Sequence, residues 1–189
     1  MRIPDALSRL TRVETLRGLS RGRKIAAAAG AGALVAAVLV GSIGSADGSA
    51  HTALPVAKSL TVHPLGQVGH ELSLTQYRGR SVVINFFASW CVPCKAETPL
   101  LARFYRAHHG QVPIIGVDVN DNTAAAVRFI HRAGVGYPVG SDPAGAAATR
   151  YGVVAIPQTF FLNAGHRIVK RVFGAVTLAQ LNAGLARMR

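Results

Sequence analysis

The chain has 189 residues and two cysteines, and both cysteines fall within one four-residue stretch, Cys91-Val92-Pro93-Cys94. Two thiols spaced this way can exchange electrons with a second disulfide through a mixed-disulfide intermediate. They can also supply half of a zinc site or bind copper(I), which suits soft thiolates. Zinc needs two further ligands, and the downstream His108 and His109 are adjacent rather than three to five residues apart. Covalent haem attachment needs a histidine directly after the second cysteine, where this chain has Lys95. A structural disulfide framework would scatter cysteines along the sequence, and that pattern is absent. Thiol–disulfide exchange is the leading reading and needs no metal and no cofactor. Val92-Pro93 leaves open whether it reduces disulfides or, as an oxidase, forms them, and copper(I) delivery is the rival of a different class.

Exchange chemistry places demands on the flanking elements. Val82-Val83-Ile84-Asn85-Phe86-Phe87 is a continuous β-branched and aromatic run, which predicts a strand buried on both faces. From Cys94 onward, Ala96, Leu100, Leu101, Phe104 and Tyr105 recur at helical spacing up to Gly110. Cys91 therefore falls at a strand-to-helix junction, where unpaired N–H groups and the helix dipole favour a thiolate. Cys94 lies one turn inside, and Pro93 fits the first turn because its missing N–H costs nothing there. Cys91 is expected to attack a substrate disulfide and Cys94 to resolve the intermediate.

The remaining pattern is consistent with a small α/β domain. Glu71-Leu72-Ser73-Leu74 alternates, and Val112 to Asp118 reads as a second buried strand. Asp121-Asn122-Thr123 can cap a helix that turns Ala126, Val127 and Ile130 inward. Phe160–Leu162 and Ile168–Phe173 read as a hairpin over Asn163-Ala164-Gly165-His166, and Thr177 to Met188 as a helix with Leu178, Leu181 and Leu185 on one face. This order predicts a three-layer α/β/α sandwich with a mixed central sheet over residues 60–189.

The formal net charge is +13. Seven Lys/Arg against two acidic residues lie in residues 1–24, a basic tail expected in the cytoplasm. Later positive charges are scattered, and only Arg167, Lys170 and Arg171 cluster, without aromatic interleaving; nucleic acid is not an expected partner. Residues 25–46 carry no charged side chain and match the ~20 residues that cross a bilayer. The positive-inside rule then sends everything after them outward. A retained anchor is favoured over a cleaved signal peptide, although Gly44-Ser45-Ala46 and Gly48-Ser49-Ala50 are small-residue cleavage candidates. Residues 47–59 read as a linker. Either way the domain works outside the cytosol, as part of a single-pass membrane protein or as a secreted one.

The stretch from Asn85 through Trp90, Cys91, Val92, Pro93, Cys94 and Lys95 to Pro99 resembles the active-site segment of extracytoplasmic thioredoxin-like reductases of the TlpA, ResA and DsbE type. Gly116-Val117-Asp118 and Tyr151-Gly152-Val153-Val154-Ala155-Ile156-Pro157 extend the resemblance to some 130 residues. It implies a thioredoxin fold, a redox-active Cys91–Cys94 disulfide, and Pro157 as a cis-proline facing it. It implies a buried proton-managing carboxyl at Glu97, which on sequence alone reads as a solvated helix residue. Cytosolic thioredoxins tend to have Asp six residues before the first cysteine; Asn85 stands there, consistent with Glu97 as the substitute. Trp90, Pro93, Ile156 and Pro157 are the implied substrate contacts, with Trp90 equally readable as core packing. The implied partners are exported proteins with disulfides, apocytochrome c among them, and a membrane electron donor.

Overall fold

The computed structural model describes residues 55–67 and 69–189. The basic tail, the span expected over 25–46 and the linker up to residue 54 lie outside the described residues. Among those described, no helix is long and apolar enough to cross a membrane.

In chain order the described elements are β1 (Thr61–Pro64), β2 (Leu72–Ser73), β3 (Val82–Phe87), α1 (Val92–Ala107), β4 (Ile114–Val119), α2 (Thr123–Arg132), β5 (Val139–Asp142), α3 (Ala146–Arg150), β6 (Gln158–Leu162), β7 (Ile168–Phe173) and α4 (Leu178–Met188). The sheet order is β2-β1-β5-β4-β3-β6-β7. Strands β3, β4 and β5 run parallel, and the other pairings are antiparallel, so the sheet is mixed. The crossovers β3-α1-β4 and β4-α2-β5 step the same way across the sheet, and right-handed crossover puts both helices on one face. Helix α4 joins them there, with Leu101, Phe104, Phe129, Leu181 and Met188 in one buried cluster. Helix α3 and Tyr151 cover the opposite face over Ile84, Phe86 and Phe160. This is the three-layer thioredoxin fold.

All six residues of β3 and of β4 are buried, as their runs, apolar but for Asn85 and Asp118, require. Each large side chain so buried contributes about 1.5–3 kcal/mol. These central strands end beside the start of the cysteine motif, so the site stands on the fully buried middle of the sheet.

Several local expectations are corrected. The alternation at Glu71–Leu74 yields only the two-residue β2, because Ser73 instead caps a 3-10 turn at Leu74–Tyr77 and Gln76 accepts from the Ser73 N–H at 3.2 Å. Strands β1 and β5 and helix α3 were not expected, being too short to show a period. In α1, Ala96 is exposed, and the buried face is Cys94, Glu97, Thr98, Leu101, Ala102 and Phe104. In α2, Ala126 and Phe129 are buried while Val127 and Ile130 are only half-buried. In α4, Leu178 is exposed and Leu181, Gly184 and Met188 face inward, because Gly184 lets the helix settle against the Phe161 ring. Docking of the chain also starts before residue 60: Ala57 N–H donates to His166 O at 2.8 Å, and Lys58 O accepts from Tyr151 Oη at 2.7 Å.

Candidate active site

Cys91 is the N-cap residue of α1, with extended backbone, and its Sγ accepts from the Cys94 N–H at 3.2 Å. The two cysteines are joined as a disulfide with Cα atoms 5.2 Å apart. Cys91 is 4% exposed and Cys94 0%, so the sulfur that another chain can reach belongs to Cys91. Pro93 sits exposed in the first turn of α1, and the Thr98 hydroxyl donates to Cys94 O at 2.8 Å.

Glu97 lies one turn beyond Cys94 on the same helical face and is 1% exposed. Its Oε1 accepts from Asn85 Nδ2 of β3 at 2.8 Å, and its Oε2 from the Val176 N–H ahead of α4 at 2.6 Å. Asn85 Nδ2 also donates to Thr159 Oγ1 of β6 at 3.0 Å. Burial dominates over these two bonds and pushes the Glu97 carboxyl up to about 7. A carboxyl poised there can carry or release a proton near neutrality.

Pro157 is buried and follows a cis Ile156–Pro157 bond. Gln158 pairs with Phe86, so Pro157 stands one residue further along, at the end of the sheet from which the cysteine turn springs. Ile156 packs against the cluster that contains both cysteines. Trp90 is 57% exposed rather than a core residue, and its Nε1 donates to Asn120 O at 3.1 Å. Beside it, Val119, Ala148, Val153 and Ile156 help line a cavity of about 440 Å³ without a charged lining residue. The exposed Val92 and Val154 extend this apolar surround.

The loop after β4 holds the turn from the other side. Asp121 Oδ2 accepts from the Ser89 N–H at 2.5 Å and Oδ1 from the Ser89 hydroxyl at 3.0 Å. Asp118 of β4 is 1% exposed, and burial, with repulsion from Asp121, pushes its carboxyl up to about 8. In the sequence Asp121 shows only as a helix cap, and Asp118 only as a lone acid within an otherwise apolar strand.

His108 and His109 fall at the far end of α1, whose 16 residues span about 24 Å. They cannot complete a zinc site with the cysteines.

Residues 55–171 match the AhpC/TSA family. The thiol-disulfide oxidoreductase ResA of Bacillus subtilis (strain 168) is 33% identical over 115 residues, covering 60% of this chain and 64% of that protein. ResA of Geobacillus thermodenitrificans (strain NG80-2) is 30% identical over 122 residues, covering 64% and 70%. The crystal structure of StoA from Bacillus subtilis superposes with a TM-score of 0.59 at 28% identity, covering 69% of this chain and 98% of that one. The chain belongs to the AhpC/TSA family, and residues 55–171 form the core of a thiol–disulfide oxidoreductase domain built around Cys91 and Cys94.

Proposed function

We propose that the protein is an extracytoplasmic reductase that transfers two electrons from the Cys91/Cys94 dithiol to disulfides of exported proteins, apocytochrome c among them. The observation that carries this is the buried Glu97 carboxyl one turn from Cys94, beside a cysteine at a helix N-cap. The Cys91 thiolate, favoured by the Cys94 N–H and the helix dipole, attacks one substrate sulfur and expels the other as a thiolate. Glu97, as carboxylate, takes the proton of the Cys94 thiol. Cys94 then attacks Cys91 Sγ, closes the Cys91–Cys94 disulfide and releases the second substrate thiolate. The substrate gains two electrons, and a membrane electron donor restores the dithiol.

In this reading Trp90, Pro93, Ile156 and Pro157 seat the substrate segment, and residues 25–46 anchor the domain to the outer side of the cytoplasmic membrane. The apolar cavity beside Trp90 and the exposed Val92 and Val154 support contact with unfolded chain segments rather than with nucleic acid.

Trapping in cells tests the proposal. Cys94→Ser removes the resolving thiol and should accumulate covalent complexes that collapse on reduction, whereas Cys91→Ser should give few. Apocytochromes among the trapped partners, with the wild-type pair mostly reduced in growing cells, support the reductase reading. A broad set of secreted proteins with a mostly oxidised pair would replace it with a disulfide-forming oxidase. No complexes at all, with copper retained by the reduced protein, would replace it with a metal chaperone.

A further inference from the structure

We propose that Arg171 is a positioning residue for polypeptide substrates. Its guanidinium clamps both ends of the loop from Gly152 to Gln158 and so sets the shape of the cavity beside Trp90, a role that rests on the reading of Ile156 and Pro157 as substrate contacts.

The loop joins α3 to β6 and is tied down near its ends. The Val153 N–H donates to Ala148 O at 2.9 Å, and Pro157 O accepts from the Gly174 N–H at 2.9 Å. Between them Val154, Ala155 and Ile156 make no backbone hydrogen bond among the described residues. A segment with so few bonds of its own takes its shape from whatever holds its ends. Yet Val153, Val154, Ala155 and Ile156 line the cavity of about 440 Å³ together with Trp90, the neighbour of Cys91. No lining residue is charged, so the cavity suits an apolar side chain next to the substrate sulfur.

Arg171 reaches the loop from β7, where it pairs in register with Phe160 and is half-buried. Its Nη2 donates to Gly152 O. The orientation that satisfies the fully buried Gln158 amide turns its oxygen toward the same guanidinium, where it accepts from Nε and Nη2. One planar group thus grips the first and the last residue of the loop. Its Cζ lies 4.9 Å from the centre of the Phe160 ring and 4.6 Å from that of Phe173, within the range at which a ring face attracts a cation. Phe160 belongs to the core and packs on Phe86 at 5.7 Å and on Tyr151, directly before the loop, at 5.4 Å. Phe173 is 64% exposed and stands opposite Gln158 in register. Arg171 therefore joins a fixed aromatic core to both loop ends and to an exposed ring beside them. Its contacts are with the loop ends and the rings, so it acts on the reaction through the loop. A lysine, with a point charge in place of the planar fork, cannot reproduce this set.

The test follows the reduced full-length protein in detergent as it reacts with two disulfides, and is independent of the direction of electron flow in cells. One is a short synthetic peptide whose intramolecular disulfide is flanked by leucine and phenylalanine; the other is 2-hydroxyethyl disulfide, which has no side chain to place in the cavity. The ratio of the two rate constants measures what the loop contributes, and a merely structural defect would lower both rates together. The ratio should fall about fivefold in Arg171→Leu and by a similar factor in Arg171→Lys, which carries the test if the leucine variant does not fold. Val154→Asp, which places a charge on the loop itself, should also lower it. A ratio that falls in Val154→Asp but holds in the Arg171 variants overturns the role of Arg171 alone. A ratio unmoved in all three overturns the loop as substrate seat and the proposal with it.

Discussion

Asn85 donates through Nδ2 to Glu97 Oε1 at 2.8 Å, while its own amide oxygen meets no hydrogen-bond partner. The unused acceptor faces the same buried site. A half-turn of the amide would present Oδ1 to a protonated Glu97 and to the Thr159 hydroxyl, both able to donate. Asn85 can therefore satisfy Glu97 in either protonation state, which an aspartate at the same position could not do without placing a second carboxyl there.

The stability of the oxidised domain should depend on Glu97 in a defined direction. Its folded-state pKa is raised above the ordinary 4.5 to about 7, so the native state holds the proton more tightly than the unfolded chain. The resulting stabilisation is fully present below about pH 4.5 and is lost as pH rises through about 7. Relative to Glu97→Gln, the wild type should lose about 3 kcal/mol between pH 4 and pH 8. Urea unfolding of both proteins at the two pH values measures this; an unchanged difference would mean that the carboxyl is not held in its burial site.

Thiol reactivity carries a second signature of the same group. If Glu97 exchanges a proton with the neighbouring thiols, their titrations are coupled. Alkylation rates of the reduced protein across pH should then shift between wild type and Glu97→Gln while the circular dichroism stays the same. Superimposable rate profiles would reduce Glu97 to a structural residue.

Packing of α4 on the sheet offers a test unrelated to redox chemistry. A Cβ built on Gly184 would lie 2.1 Å from Cε1 of Phe161. Phe161 is fully buried, so the ring cannot swing into solvent. Gly184→Ala should cost about 1–3 kcal/mol by overpacking, despite the better helix propensity of alanine. Thermal unfolding would show it, and a neutral or stabilising result would mean that α4 does not press on β6 as described.

Topology can be read in cells. Reporter fusions after residue 60 should be active only when the reporter works outside the cytoplasm. The mature mass should retain residues 1–46 if the apolar stretch is an anchor, and its loss would make the protein a secreted one.

The central strands and the cysteine turn were legible in the sequence because each is a local pattern. Val82–Phe87 is an apolar run broken only by Asn85, and Cys91, Pro93 and Cys94 obey helix-start rules within four residues. Helix α4 was misjudged at Leu178 because its contact is set by a missing side chain, Gly184, which a count of apolar residues does not register. Glu97 could not be assigned from periodicity, since its burial depends on Asn85 and Val176, one distant in sequence on each side. The bonding of Asp121 to Ser89 was invisible for the same reason: the ends of β3 and β4 meet only in the sheet.

The basic cluster at the end of the chain acquires a meaning from the topology. Among the described residues β7 is an outer strand; its start is covered where the Ile168 N–H donates to Pro55 O at 2.8 Å, and beyond that its outer side offers N–H and C=O groups to an extended chain. Lys170 and Arg171 are consecutive there and so point to opposite faces, Lys170 over the Phe161 ring at 6.0 Å and Arg171 over the Phe160 ring at 4.9 Å. A foreign strand adding to this edge meets a cation whichever face its apolar side takes. This placement of charge guards the sheet against being lengthened by a second copy or by any other extended chain.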